Sequence, residues 1–174
     1  MLSQLFLGLV LGSVIGYLAW RAEALSVSGG WAAAAAGGLI FGLGGIPWAV
    51  LLLAFFISSS GLSKLFKRRK AALNEKFSKG SRRDWGQVAA NGSLGALLAI
   101  LYGILPDQSW LWAAFAGAMA AVNADTWATE LGVLSQHAPR LITTGKPVER
   151  GTSGGVTPLG YLAVFVGSSL IAVL

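Results

Sequence analysis

The 174-residue sequence contains no cysteine, and only 11% of its residues are charged. The lack of cysteine excludes disulfide bonds and thiol chemistry. Its single histidine, His137, is better suited to decorating a loop than to holding a metal. The low charge lies far below the roughly one quarter that is typical of soluble domains. A soluble globular protein is therefore excluded.

Hydrophobic residues make up 55% of the chain and form runs close to the roughly 20 residues needed to cross a bilayer. We predict an all-α integral membrane protein, with residues 1–174 as one transmembrane helix bundle. The predicted spans are residues 2–19, 30–44, 47–62, 85–105, 110–134 and 155–174. Gly8, Gly12 and Gly16 would let a second helix approach the first one closely.

Positive charge is concentrated in a basic loop, residues 64–83, whose first half is predicted to continue the third helix. If this loop is cytoplasmic and the spans alternate, all thirteen Lys and Arg face the cytoplasm. The N-terminus is then outside, where Asp107 is the one charged side chain. The net charge of +6 is thus explained by topology and by anionic headgroups of membrane lipids, and nucleic acid is not an expected partner.

A polar run, residues 123–130, lies near the end of the fifth predicted span. At about 100° per residue its polar side chains share one side of the helix: Asn123, Asp125, Thr126, Thr129 and Glu130. Ionisable groups at membrane depth cost about 2.5–3.5 kcal/mol to insert and usually mark a functional site. The alternative is two carboxylates that merely reach the interface at a helix end. The one-sided arrangement favours a site near the cytoplasmic face, and Mg²⁺ is its natural metal, held by Asp125 and Glu130.

A second polar group opens the fourth span. Asp84, Gln87 and Asn91 follow one helix face, and Arg82 and Arg83 precede them. Gln87 and Asn91 could instead make hydrogen bonds between helices. If the face lies opposite the polar run of the fifth span, the two would line a shared cleft.

The loop of residues 135–154 combines glycines, hydroxyls and cations, which together suit a phosphate group. The candidate ligands are Lys146, Arg150, Gly151, Thr152, Ser153 and Gly154. Gly154 and Gly155 are predicted to open the last helix, whose N-terminus would favour phosphate. The sequence is not a Walker A motif, because Pro147 follows Gly145 and Lys146. An ordinary flexible loop is the alternative.

These motifs resemble, in order, those of the integral membrane family that contains phytyl-phosphate kinase of chloroplasts and cyanobacteria and animal transmembrane protein 19. The resemblance covers about residues 55–167 and rests on four stretches: residues 82–92, 124–132, 139–144 and 151–156. It implies transfer of a phosphoryl group from a nucleoside triphosphate, CTP above all, to a prenyl monophosphate. Members of that family continue with further helices and another acidic stretch, so the resemblance implies that part of the site lies beyond Leu174.

In the kinase that this resemblance implies, Asp125 and Glu130 would hold Mg²⁺ on the nucleotide, Lys146 and the glycine loop would bind phosphate, and Arg82, Arg83 and Asn91 would fix the acceptor. The expected partners are the nucleotide, the prenyl monophosphate, membrane lipids and further copies of the chain. A cytidylyltransferase is the closest enzymatic alternative. A transporter or an assembly protein is the alternative from other classes, although a transporter should carry polar groups through the membrane midplane.

Overall fold

A computed structural model describes residues 2–73 and 82–174, with the backbone alone for 67–73. The described chain contains six helices and two short strands. The helices are α1 (Leu2–Arg21), α2 (Val27–Gly44), α3 (Ile46–Leu73), α4 (Trp85–Ile104), α5 (Trp110–Gly132) and α6 (Pro158–Ala172). The strands are β1 (Arg140–Leu141) and β2 (Gly155–Val156). The all-α fold class is confirmed.

Four of the helices are long and apolar enough to cross a membrane. They are α1, α2, the part of α3 up to Phe66, and α4. Helix α5 is 23 residues long but carries the two carboxylates, and α6 is apolar but has 15 residues. Helix α3 extends to Leu73, so the predicted helical start of the basic loop is confirmed. The rest of that loop, residues 74–81, lies outside the described residues.

The described residues form two compact units. The first unit runs up to Phe56 and from Arg82 to Met119, with Leu174. The second unit runs from Ile57 to Leu73 and from Ala120 to Val173. Helices α3 and α5 therefore contribute to both.

In the first unit, α1 and α2 pack backbone to backbone. A Cβ added at Gly8 would lie 2.5 Å from the carbonyl oxygen of Gly38, and one at Gly16 would lie 2.6 Å from that of Gly30. As the chain advances along α1, its contacts move back along α2, so the two helices are antiparallel. The predicted close approach at this glycine face is confirmed.

The core of the first unit is aromatic and aliphatic. Trp48 stacks on Phe115 with ring centroids 4.3 Å apart, and the Tyr102 ring lies 5.3 Å from Trp48. Ile40 and Leu51 are fully buried. This packing joins α2, α3, α4 and the first half of α5.

The second unit packs the end of α5 between α3 and α6. Ser58 contacts Asn123 and Ser63 contacts Glu130, so α3 and α5 run parallel here. Asn123 also contacts Gly167, whereas Gly132 lies beside Gly160, so α6 runs antiparallel to α5. The ends of α3 and α5 are thus parallel in this unit, and α6 is opposed to both.

The prediction that Gly154 and Gly155 open the last helix is wrong. Gly155 lies in β2, and α6 starts at Pro158 behind the N-cap Thr157, whose side chain accepts a hydrogen bond from the Gly160 N–H. Proline suits the first helical position because its φ is already helical and it lacks an N–H that would go unpaired. Gly154 and Gly155 therefore lie before the helix start and not in its first turn.

Candidate functional site

The predicted site residues belong to both units. The first unit holds Arg82, Arg83, Gln87 and Asn91. The second unit holds the polar residues of α5 and the loop that follows it. In α5 these are Asn123, Asp125, Thr126, Thr129 and Glu130; in the loop they are Lys146, Arg150, Gly151, Thr152, Ser153 and Gly154.

Asn123 is fully buried and joins three helices. Its amide nitrogen donates to the Gly167 carbonyl at 2.7 Å, and its amide oxygen accepts from the Ser58 hydroxyl at 3.1 Å. The Trp127 indole donates to the same hydroxyl at 3.3 Å. Because a buried amide without partners would cost about 1–3 kcal/mol, this network sets the rotation of α5 about its axis.

Glu130 is also buried, with 9% of its surface exposed. Its carboxylate accepts a hydrogen bond of 2.7 Å from the Ser63 hydroxyl of α3. A hydrogen bond to a charged group is stronger than one between neutral groups. Glu130 is thus held against α3 about two turns beyond Asn123 and one turn beyond Trp127.

The polar side chains of α5 form an arc on one side of the helix. Asp125 and Thr129 lie at the edge of this polar arc away from Asn123 and Glu130, and both are exposed. Thr126, between the two edges, is half-buried. The arc is therefore divided: Asn123 and Glu130 pack against α3, while Asp125 and Thr129 face out of the second unit. Of the two carboxylates, Asp125 is the exposed one, and among the described residues it makes no hydrogen bond or ion pair that a ligand would have to displace.

The loop after α5 is ordered around β1. On one side β1 pairs antiparallel with β2, placing Arg140 opposite Val156 and Leu141 opposite Gly155. On the other side Arg140 forms an antiparallel bridge with Pro147. The turn between them needs Gly145, whose φ is +68°, in the left-handed region that favours glycine.

Arg150 fastens this loop to the end of α5. Its guanidinium donates to the carbonyls of Val133, at 3.2 Å, and Ser135, at 2.7 Å. The Thr157 hydroxyl donates to a third carbonyl, that of Gly132, at 3.3 Å. Val133 and Ser135 lie just after the last residue of α5, so these bonds hold the loop against the end of that helix, where a cation complements the helix dipole.

The tip of the loop is exposed between Gly151 and Gly154, whose φ angles are +85° and +76°. Within the described residues, the N–H groups of Gly151, Ser153 and Gly154 make no hydrogen bond to protein. The side chains of Thr152 and Lys146 are exposed as well. Exposed N–H groups at left-handed turns suit an anion.

In the first unit, three of the four predicted residues have protein partners. Arg82 forms an exposed ion pair with Glu23. Gln87 closes a capping box with Asp84: its side-chain oxygen accepts from the Asp84 N–H at 3.2 Å, and its own N–H donates to Asp84 at 2.9 Å. The Arg83 guanidinium lies 5.8 Å from the Phe55 ring centroid. Asn91 is half-buried and lines a cavity.

Comparison with known proteins identifies the family. The model of the integral membrane protein DUF92 family matches residues 10–174. The chain belongs to this DUF92 family. It is 34% identical to Protein PGR of Arabidopsis thaliana over 184 residues, covering 97% of this chain and 62% of that protein. It is 33% identical to an uncharacterized membrane protein of Methanocaldococcus jannaschii, covering 98% of this chain and 69% of that one.

A third relative is an uncharacterized membrane protein of Synechocystis, 36% identical over 76% of this chain and 55% of its own length. The chain thus spans between about half and about two thirds of the curated relatives that it matches. No solved structure matches the chain.

Some contacts of this DUF92 chain were not predicted from the sequence. The serines of α3 that bind Asn123 and Glu130 were not singled out, although Ser58, Ser59 and Ser60 form an unusual polar run within an apolar span. The capping box was signalled by the Asp-x-x-Gln spacing at Asp84. The role of Arg150 at the end of α5 had no sequence signal, because 15 to 17 residues separate it from its partners.

Proposed function

We propose that this protein is a lipid-phosphate kinase that transfers a phosphoryl group from CTP, or another nucleoside triphosphate, to a prenyl monophosphate. One observation carries the proposal: Arg150 and Thr157 tie the glycine loop to the carbonyl end of the helix that bears Asp125 and Glu130. An anion-binding loop and a carboxylate-bearing helix end therefore belong to one packed unit. That pairing is what binding of a metal–nucleotide requires.

The loop supplies the groups for nucleotide phosphate. The exposed N–H groups of Gly151, Ser153 and Gly154 offer neutral donors, and Lys146 offers a mobile charge. Arg150 is already engaged with two carbonyls, so its main task is to hold the loop in place, and its positive charge adds to the field there. The loop is thereby preorganised, which lowers the entropic cost of binding.

The oxygen donors of α5 fit Mg²⁺. A carboxylate at Asp125 is exposed and is the hard anionic ligand that this ion prefers, and Glu130 lies five residues further along the same helix. No cluster of three or more His, Asp or Glu occurs in the described part of the chain. Mg²⁺ takes one or two protein carboxylates in such sites and completes its shell with phosphate and water. When bound, Mg²⁺ would neutralise charge on the nucleotide phosphates.

The reaction needs little proton chemistry from the protein. A prenyl monophosphate is already an anionic nucleophile, so one of its oxygens forms a bond to the γ-phosphorus while the bond to the β–γ bridging oxygen breaks. The nucleoside diphosphate leaves with that electron pair. Catalysis then consists of holding the two phosphates in line and stabilising charge, which is the work of the loop, Lys146 and Asp125.

The test is phosphoryl transfer by the purified protein in lipid nanodiscs, with MgCl₂, CTP and prenyl monophosphates of several chain lengths. We expect the prenyl diphosphate and CDP as products. Asp125→Asn should abolish turnover, because it keeps the shape but loses the charge. Asp107→Asn is the matched control, an exposed aspartate in the turn before α5. Pyrophosphate and a cytidylyl-lipid would show a cytidylyltransferase instead, and equal turnover by both variants would refute the role of Asp125.

A further inference from the structure

A groove of about 260 Å³ lies in the first unit, where its described lining residues belong to α1 and α2. Gly16 and Gly30 are buried and form its floor, and a Cβ added at Gly16 would lie 2.6 Å from the Gly30 carbonyl oxygen. Exposed aromatic side chains flank this floor: Tyr17 and Trp20 from α1, and Trp31 from α2. The α1–α2 groove is therefore open to the surroundings of the protein, with a flat floor and aromatic sides.

The groove begins at the end of a helix that can cross the membrane. Helix α1 is long and apolar enough to do so, and its last residue is Arg21. Trp20, just before that end, and Val27, at the start of α2, both line the groove. From Trp20 the lining runs inward along α1 to Ser13, about 10 Å at 1.5 Å per residue. Since Trp rings favour the headgroup level, the groove spans the depth of a lipid head and the upper part of its chain.

Arg21 supplies a positive charge at the mouth of the groove. Its side chain is exposed and makes no hydrogen bond or ion pair with the described part of the chain. The acidic residue nearest to it in sequence, Glu23, is engaged in an exposed ion pair with Arg82. At 100° per residue Arg21 lies about 40° around the helix from Tyr17, on the groove side of α1. No described side chain therefore neutralises the charge of Arg21.

We propose that the α1–α2 groove binds an anionic glycerophospholipid of the bilayer, with its phosphate at Arg21 and the upper part of one acyl chain on the glycine floor. Charge selects the occupant, because an acyl chain gains little when it leaves other lipid chains for an equally apolar groove. The guanidinium presents a planar set of donors that suits phosphate oxygens. This inference goes beyond the proposed function and does not rest on it, since the lipid is a bound component of the membrane and not a substrate.

Charge also argues against a second copy of the chain as the occupant. Two copies in one membrane that share this face would be related by an axis normal to the bilayer, so each residue would approach its own counterpart. Their Arg21 side chains would then lie close together, and like charges that meet across an interface repel. A lipid with a net negative charge meets the same arginine with attraction.

The test is photolabelling in phosphatidylcholine nanodiscs, without nucleotide, by phosphatidylglycerol that carries a diazirine on the upper part of one acyl chain. Peptide mapping should place the label on the parts of α1 and α2 around Tyr17 and Trp31. A phosphatidylcholine with the same diazirine is the reference. The anionic probe should label this site about fivefold more strongly, the equivalent of the about 1 kcal/mol that one cation contributes at an anionic membrane surface. Equal labelling by the two probes would show an unselective contact with lipid and overturn the proposal.

One pair of variants tests the charge. Arg21→Gln should remove the preference for the anionic probe, so that both probes label the groove equally. Lys64→Gln is the matched control, because it removes an exposed cation of α3 in the second unit and should leave the preference unchanged. A preference that survives Arg21→Gln, or one that both variants lower equally, would show a general attraction between the basic protein and anionic lipid and would refute the site.

A second pair of variants tests the groove itself. Ser13→Phe places a ring in its inner end and should lower labelling by the anionic probe about fivefold or more. Val14→Phe adds the same ring at nearly the same depth, at an exposed position that does not line the groove, and should leave labelling unchanged. Both positions are exposed, so both variants should fold, and thermal unfolding checks this. Unchanged labelling in folded Ser13→Phe would overturn the proposal, as would an unlabelled groove in particles of twice the protein mass, which would show a second copy there.

Discussion

Replacing Gly12 by alanine should destabilise the protein, because the new methyl group would meet backbone and not a flexible side chain. A Cβ at this position lies 2.6 Å from the Ala34 carbonyl oxygen and 2.9 Å from the Gly38 nitrogen. Both distances are shorter than Cβ contacts in real proteins, so α1 and α2 must separate. Overpacking of this kind costs about 1–3 kcal/mol.

The matched variant is Gly117→Ala in α5, where a Cβ meets nothing within 4 Å. Each substitution adds about 1 kcal/mol of helix propensity, which cancels in the comparison. The free energy of unfolding, measured by SDS titration in mixed micelles, should therefore be about 1–3 kcal/mol lower for Gly12→Ala than for Gly117→Ala. Equal values for the two variants would mean that α1 and α2 do not touch at this face.

Three further predictions concern topology and the second unit. Single cysteines at Gln108 and Gln136, introduced into this cysteine-free chain, should be labelled by an impermeant maleimide from outside and from the cytoplasm, respectively; the reverse pattern would invert the topology. Glu130→Gln should lower turnover while the fold survives, because the amide oxygen still accepts from Ser63; turnover equal to that of the unaltered protein would make the carboxylate structural. Arg150→Ala should lower both the thermal stability of the protein and its affinity for nucleotide. Arg150→Lys should restore neither, because lysine lacks the planar guanidinium that reaches two carbonyls. Full rescue by lysine in thermal unfolding and nucleotide titration would contradict this.

Helices were predictable from the sequence because each span is a long apolar run, and some of them have a clear signal at the start. Asp84 and Pro47 mark two such starts, and the structure begins α4 and α3 beside them. The last helix was misplaced because two glycines resemble a flexible helix entry. What decides its start is Thr157 with Pro158, and what removes Gly155 from it is pairing with Leu141, a contact distant in sequence.

The candidate site was only partly predictable, for a geometric reason. Angular projection placed Asp125 and Glu130 on one side of α5, about 140° apart at 100° per residue. An arc that wide can face a neighbouring helix at one edge and open space at the other. Ser58 and Ser63 in α3 decide which edge packs against a neighbouring helix and which edge stays exposed. Angular projection of a single helix carries no information about the helix beside it.

Asp125 is exposed and Glu130 is buried, and this difference bears on which class of function the protein has. A carrier needs polar groups that pass a substrate through the membrane, yet Glu130 and Asn123 are buried in helix contacts and leave Asp125 and Thr129 as the exposed polar pair. An assembly protein would need no exposed carboxylate, whose insertion costs about 2.5–3.5 kcal/mol. A phosphotransferase has a use for both: Asp125 is exposed to a metal–nucleotide, and Glu130 keeps its charge in a position fixed by Ser63 near the end of the same helix. The different environments of the two carboxylates in one helix thus favour phosphoryl transfer over a carrier or an assembly protein.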